Sequence, residues 1–285
     1  MNGSRFMTFE EKTMKRVVLV TGASSGIGKA TAIYLVKKGF AVYAAARRLE
    51  MMEDIKRQGG HVIKMDVADD ASMVSGVEKI IDAEGRIDIL INNAGYGSYG
   101  SLEDTPLSEA RYQFEVNVFG LARLSQIVIP FMRKQKSGKI INVASIGGKF
   151  TLPYGSWYHS SKFAVEGLSD CLRMELKQFG IDVILIEPGG IRTEWSSIAR
   201  NNLLKVSGQT VYKDLAARQV RMFKFFDTIG SKPTVIAKTI YRAINARWPK
   251  ARYVAGRAST TVLTLKKILP DKMFDRMILT QLKFW

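Results

Sequence analysis

Short apolar runs recur along the chain, spaced so that a helix fits between each pair. Val17-Val18-Leu19-Val20, Ala41 to Ala46, His61 to Met65, Ile87 to Ile91, Ile140 to Ala144 and Ile181 to Ile186 are near-continuous rather than alternating. A strand with one wet face alternates apolar and polar residues, whereas a continuous run is buried on both faces, as in a parallel sheet covered by helices. Between the runs, apolar residues return at helical spacing: through Lys38, where Gly39 stops the pattern, from about Asp70 to Ala83, and from Pro106 through Asn117 towards Pro130. Strands alternating with helices predict an α/β fold, a doubly wound parallel sheet in three α/β/α layers with right-handed crossovers. Such sheets bind ligands at the C-terminal ends of their strands.

The pattern changes after Tyr253. Val262, Leu265 and Leu269, then Phe274, Met277, Ile278 and Leu282, recur at helical spacing, with Lys266, Lys267, Lys272, Arg276 and Lys283 in the gaps. Pro270 divides this stretch into two short amphipathic helices. The expected organisation is an aperiodic, poorly ordered leader over 1–13, one α/β domain over 14–256, and a basic amphipathic helical extension over 257–285. Packing on its own domain, covering a pocket, lying on an anionic membrane surface and docking on another chain all remain open for that extension.

Composition narrows the class. With 46% hydrophobic residues the chain can bury a sizeable core, and no uninterrupted apolar run reaches the ~18 residues of a membrane span. The single cysteine, Cys171, excludes an internal disulfide and fits a reducing cytoplasm. Its helical spacing with Leu168, Leu172 and Leu176 predicts a buried filler. Net charge is +17, and the excess is concentrated late: residues 200–285 hold 18 Lys and Arg against four Asp. No nucleic-acid-binding signature accompanies it, so nucleic acid is not an expected partner.

Candidate chemistry falls at the predicted strand ends. The first run enters Thr21-Gly22-Ala23-Ser24-Ser25-Gly26-Ile27-Gly28 and then a helix, the setting in which backbone N–H groups and a helix dipole hold a pyrophosphate. The second run ends in Ala46-Arg47-Arg48, where an NAD site would carry an acid; an arginine there can grip a 2′-phosphate, which favours NADP(H). Asp66 and Val67 could meet an adenine edge, or Asp66 could cap the helix that follows. Asn92-Asn93-Ala94-Gly95 can tie strand ends together while leaving room for a ligand. Asn117 interrupts an apolar helix, either as a water-holding kink or as a satisfied buried amide. The fifth run delivers Ser145 and the sixth Pro188-Gly189-Gly190. Tyr158 and Lys162, four apart, share one helical face, so a cation can favour the ionised phenol. Tyr34 and Lys38 repeat that spacing with no such surroundings, and His159 points another way round the helix from Tyr158.

Together these motifs resemble the short-chain dehydrogenase/reductase family over roughly residues 14–193. The resemblance implies a Rossmann-like fold and oxidoreductase chemistry. Tyr158 would be the general acid or base, and Ser145 would bond the same substrate oxygen. Lys162 would hold the nicotinamide ribose and lower the Tyr158 pKa, while Asn117 would position a water in the proton relay. The implied cofactor contacts are Gly22, Ser24, Ser25, Gly26, Ile27, Gly28, Arg47, Asp66, Val67, Asn93, Ala94, Gly95, Asn117, Tyr158, Lys162, Pro188, Gly189, Ile191 and Thr193, and no metal is needed. Beyond Thr193 the family varies. There Trp195, Ile198, Leu203 and Leu204, facing Phe150, Leu152, Tyr154 and Trp157, suggest an apolar pocket for a lipophilic alcohol or ketone, about half of these residues being core. Ser145, Tyr154, Tyr158 and Trp195 are the expected substrate contacts. Alternatives are a 3-oxoacyl-thioester reductase served by an acidic carrier protein, and a non-catalytic NADP-sensing protein; the latter would not need Ser145, Tyr158 and Lys162. Family members form homodimers or homotetramers through the helices after Pro106 and around Tyr158.

Overall fold

A computed structural model describes residues 15–285, so the expected leader over 1–13 lies outside the described residues. Seven parallel strands form one sheet in the order β3-β2-β1-β4-β5-β6-β7. They are β1 (Val17–Thr21), β2 (Ala41–Ala46), β3 (His61–Lys64), β4 (Ile89–Asn92), β5 (Gly138–Val143), β6 (Ile181–Pro188) and β7 (Arg252–Ala255). The order reverses between β1 and β4, which creates a crevice at the strand C-termini. The helices are α1 (Gly26–Lys37), α2 (Glu53–Arg57), α3 (Asp70–Glu84), α4 (Leu107–Phe114), α5 (Gly120–Gln135), α6 (Ser156–Leu176), α7 (Glu194–Ser207), α8 (Lys213–Ile229), α9 (Thr234–Asn245), α10 (Ser259–Ile268) and α11 (Asp271–Lys283).

The continuous runs of the inner strands are buried on both sides for the reason their pattern gives, whereas β3 at the sheet edge exposes His61 and Lys64. Successive residues of β1 point to opposite faces: Val18 and Val20 join Ala32, Leu35, Ile236 and Ile240 of α1 and α9. Val17 and Leu19 join Val77, Ile80, Leu124 and Val128 of α3 and α5. The result is the three-layer, Rossmann-like sheet expected, with α10 and α11 added after β7. β7 was not legible in the sequence because Arg252, Tyr253 and Ala255 are only half-buried and Val254 is exposed at the sheet edge.

Two expectations need correction. Cys171 is exposed. Leu168, Leu172 and Leu176 advance about 40° per step around α6, and Cys171, three residues after Leu168, falls on the side the stripe drifts away from. Asp66 does not cap α3: Asp69 does, accepting from the Ser72 N–H, while Asp66 accepts from Ala68 N–H in a turn at 3.0 Å. The helix from Leu107 to Gln135 qualifies the reading on membrane spans, since it is long and apolar enough to cross a bilayer by length and composition. Leu121, Leu124, Val128 and Met132 nevertheless bury one side of it inside the protein.

Candidate active site

Glycine geometry sets the floor of the site. Gly22 has φ +65°, and a Cβ there would lie 2.8 Å from the Ala94 Cα; one on Gly28 would lie 2.4 Å from the Gly22 carbonyl oxygen and the Asn93 amide. Turn, helix and the Asn93 loop are therefore packed backbone to backbone, and only glycine permits it. Thr21 locks this arrangement: its Oγ1 accepts from the Asn93 and Ala94 N–H groups, both at 3.0 Å, while Asn93 Nδ2 donates to the Thr21 carbonyl. One strand over, Asn92 donates to Asn142 Oδ1 and Ser125 Oγ, each at 3.0 Å, so both asparagines tie strand ends together.

A cleft of about 610 Å³ opens above these strand ends. Of the expected cofactor contacts, Gly22, Ser24, Ser25, Gly26, Ile27, Arg47, Asp66, Val67, Asn93, Ala94, Gly95, Tyr158, Lys162, Pro188, Gly189, Ile191 and Thr193 line it. Gly28 and Asn117 lie behind the wall. Arg47 extends to the Tyr112 hydroxyl at 3.0 Å and to Asp66 at 3.9 Å. Arg48 donates to Ser24 of the glycine turn at 3.2 Å and pairs with Glu194 at 3.4 Å.

At the other end of the cleft stand Ser145 and Tyr158. Ser145 begins a 3-10 turn, and its Oγ accepts from the Gly147 N–H at 3.0 Å. That uses an acceptor site and leaves the hydroxyl proton free to donate. Tyr158 is buried. Burial pushes its phenol up to about 12, partly offset by hydrogen bonding with Ser145. Lys162, also buried, is pulled down to about 8 by loss of solvent, with the Glu166 carboxylate opposing the fall. Its ammonium donates to the Val143 carbonyl at 3.0 Å. Loss of solvent is the larger cause of both shifts, and it favours the proton on Tyr158.

Asn117 sits in a π-helical turn, Glu115–Phe119, between α4 and α5. Such turns concentrate at functional sites. Its side chain is a satisfied buried amide: Nδ2 donates to the Tyr96 carbonyl at 2.9 Å and to Ser161 at 3.0 Å, and Oδ1 accepts from the Tyr96 N–H. That ties the Gly95–Tyr96 loop to α6 beside Lys162. His159 is buried and structural. One ring nitrogen bonds the Gly147 carbonyl at 2.8 Å, the other accepts from Leu152 N–H at 3.1 Å, and burial lowers its pKa. Lys38 is an exposed cation over the Tyr34 and Tyr241 rings, far from the cleft.

The expected substrate residues divide. Trp195 lines the cleft with its ring 5.0 Å from Tyr158, and Phe150, Leu152 and Ile198 also line it. Tyr154 does not: its backbone is left-handed (φ +65°) and its hydroxyl donates to the Tyr212 carbonyl at 3.2 Å. Leu203 is core, Leu204 faces outward, and Trp157 packs on Phe114. Sequence reasoning missed Tyr99, which packs edge-on against Trp195 and Phe223, and also Met222, Phe223 and Phe226 of α8, while Ile278 of α11 lines the cleft as the pocket-covering option for the extension expected. The spacing of the α8 apolar residues was the available signal; for Tyr99, in a loop, there was none.

Glycine turn, Ser145, and a Tyr158–Lys162 pair on one helix face thus share a single cleft. A family model described as short chain dehydrogenase matches residues 16–203. The chain belongs to that family. A 3-ketodihydrosphingosine reductase from Bacteroides thetaiotaomicron is 36% identical over 262 residues, covering 91% of this chain and 95% of the relative. An NADPH-dependent 3-dehydrocapnine reductase from Ornithobacterium rhinotracheale is 34% identical, covering 94% and 98%. A solved short-chain dehydrogenase from Streptomyces avermitilis superimposes with a TM-score of 0.75 at 30% identity, over 95% of this chain and 97% of that one. As a short-chain dehydrogenase the protein is a nicotinamide-nucleotide-dependent oxidoreductase acting on a small molecule.

Proposed function

We propose that this short-chain dehydrogenase interconverts a lipophilic ketone and its secondary alcohol with NADP(H), with Tyr158 as general acid. The observation that carries the reading is the pairing, in one cleft, of the buried Tyr158 phenol beside the Ser145 hydroxyl with a wall of aromatic and aliphatic side chains. Bound nicotinamide supplies or accepts the hydride. Ser145 donates to the substrate oxygen, and Tyr158 gives that oxygen its proton as negative charge develops there. Lys162, anchored on Val143, would hold a ribose hydroxyl of the bound nucleotide, and Asn117 fixes the loop beside it. The glycine turn takes the pyrophosphate, and Trp195 and Tyr99 exclude water from the reacting atoms.

Arg47 and Arg48 support NADP over NAD, since Ala46 ends β2 where an acid would repel a 2′-phosphate, and one relative is named for NADPH. Two relatives named for the reduction of a ketosphingosine and a dehydrocapnine support a long-chain ketone. The single cysteine supports the cytoplasm, and exposed Phe119 in the π-helical turn before α5 and Phe163 in α6 support self-association, as homodimer or homotetramer, through the helices after Pro106 and α6. The test is turnover with NADPH and NADH against long-chain ketones, short ketones and acetoacetyl thioesters. Expected is preferential turnover of long-chain ketones with NADPH, and a preference shifted towards NADH in Arg47→Asp. Turnover confined to the thioester, or unchanged cofactor preference in that variant, would contradict the proposal.

A further inference from the structure

The C-terminal helices have two unlike faces. Inward, Phe274 and Leu282 are buried, Phe274 packing 5.9 Å from Phe150, while Val262, Ile278 and Gln281 line the cleft itself. The extension is therefore one wall of the candidate substrate site. Arg218 holds it by donating to the Lys283 carbonyl at 2.8 Å, and Phe225 packs at a tilt on Trp285 with ring centroids 4.8 Å apart.

Outward, the same helices expose apolar surface among cations. Ile268, Met273, Leu279 and Phe284 are 70%, 57%, 44% and 84% exposed. Such exposure places them in solvent, not in a core. Lys272, Arg276 and Lys283 run along that side of α11 and, with Leu279 and Leu215, form a shallow groove whose single acid is Asp275. Among the described residues nothing packs over this face. Large apolar side chains alternating with unpaired cations match a bilayer interface, where the apolar groups enter the acyl boundary and the cations meet anionic headgroups. An acidic protein would be served by the cations alone and would give the four apolar side chains no partner.

We propose that the outer face of α10 and α11 docks on an anionic lipid surface, which sets the cleft wall formed by Val262 and Ile278 against the bilayer. Delivery of substrate directly from that bilayer rests on the lipophilic-ketone reading; the docking does not. Each basic residue near an anionic leaflet contributes about a fivefold gain in affinity, so three contribute on the order of 100-fold. Flotation of the full chain with phosphatidylcholine vesicles, alone or mixed with phosphatidylglycerol, is the test. Expected is binding to the mixed vesicles only. Lys272→Gln/Arg276→Gln/Lys283→Gln should weaken it about 100-fold, and Met273→Ser/Leu279→Ser/Phe284→Ser should also weaken it with the charge intact. Both variants should keep the wild-type Tm and kcat/KM on a water-soluble ketone, losing turnover only on a vesicle-borne one. Absence of flotation, or equal flotation by all three proteins, overturns the proposal. So does an apolar variant that binds like wild type, since that result points to a purely electrostatic, acidic macromolecular partner. Flotation by a protein with no ketone turnover would leave the docking standing and sink the substrate reading instead.

Discussion

Burial, more than pairing, decides what the two central side chains do. Tyr158 and Lys162 stand one helical turn apart, yet desolvation sends the phenol up to about 12 and the ammonium down to about 8. Both shifts favour the neutral form, so near neutral pH the phenol carries the proton that ketone reduction requires. A base whose pKa is lowered in the folded protein keeps its charge below that value and loses it above. In the reductive direction, kcat/KM is therefore expected to hold near neutrality and fall as pH rises through about 8. Rates measured from pH 6 to about 10 check this; a profile flat to about 10 would show that the charge of Lys162 is not needed. The spacing of Tyr158 and Lys162 was readable because it is a property of one helix. The sign of the phenol shift was not, because it depends on Tyr99 and Trp195, which arrive from a loop and from α7.

The element that makes the site possible is the turn between β1 and α1. Its glycines were legible as a motif; the structure adds why the first and third differ from spacers. Gly28 faces the Gly22 carbonyl and the Asn93 amide with no room for a methyl group. Gly28→Ala should push α1 off the Asn93 loop, weakening nucleotide binding at least ~10-fold and lowering stability by roughly 1–3 kcal/mol through overpacking. Fluorescence titration and thermal unfolding measure the two effects; wild-type values for both would show that the turn has slack. Strands β1, β2, β4, β5 and β6 were readable because their runs are largely buried on both faces, β3 from Val62-Ile63 although His61 and Lys64 are exposed at the sheet edge, and the α10–α11 break was readable at Pro270. Strand β7 was not, since a half-buried edge strand has no periodic signature. Tyr154 failed for a local reason: nothing in its neighbours announces a left-handed backbone.

Taken as a whole, the molecule divides its labour along the strand C-termini. The nucleotide half, from the glycine turn to Asn93, is built from backbone approaches and conserves little freedom, whereas the substrate half is assembled from α7, α8 and α11 and is held by aromatic packing around Tyr99, Trp195 and Phe223. A buried charge cluster braces the junction: Glu166 of α6 and Glu187 of β6 meet Lys149 and Arg252, and burial beside Glu166 raises the Glu187 carboxyl. The excess positive charge of the chain falls on the substrate half, while the proton-transfer site itself holds one cation, Lys162, beside the Tyr158 phenol and the Ser145 hydroxyl. Nucleotide binding and proton transfer are therefore separable in this architecture, and Tyr158→Phe separates them. With the phenol oxygen gone and the ring in place, NADPH should bind within about threefold of wild type while ketone turnover falls by at least ~10³-fold, in keeping with loss of a positioned general acid. Near-normal kcat in that variant would contradict the central claim that Tyr158 delivers the proton.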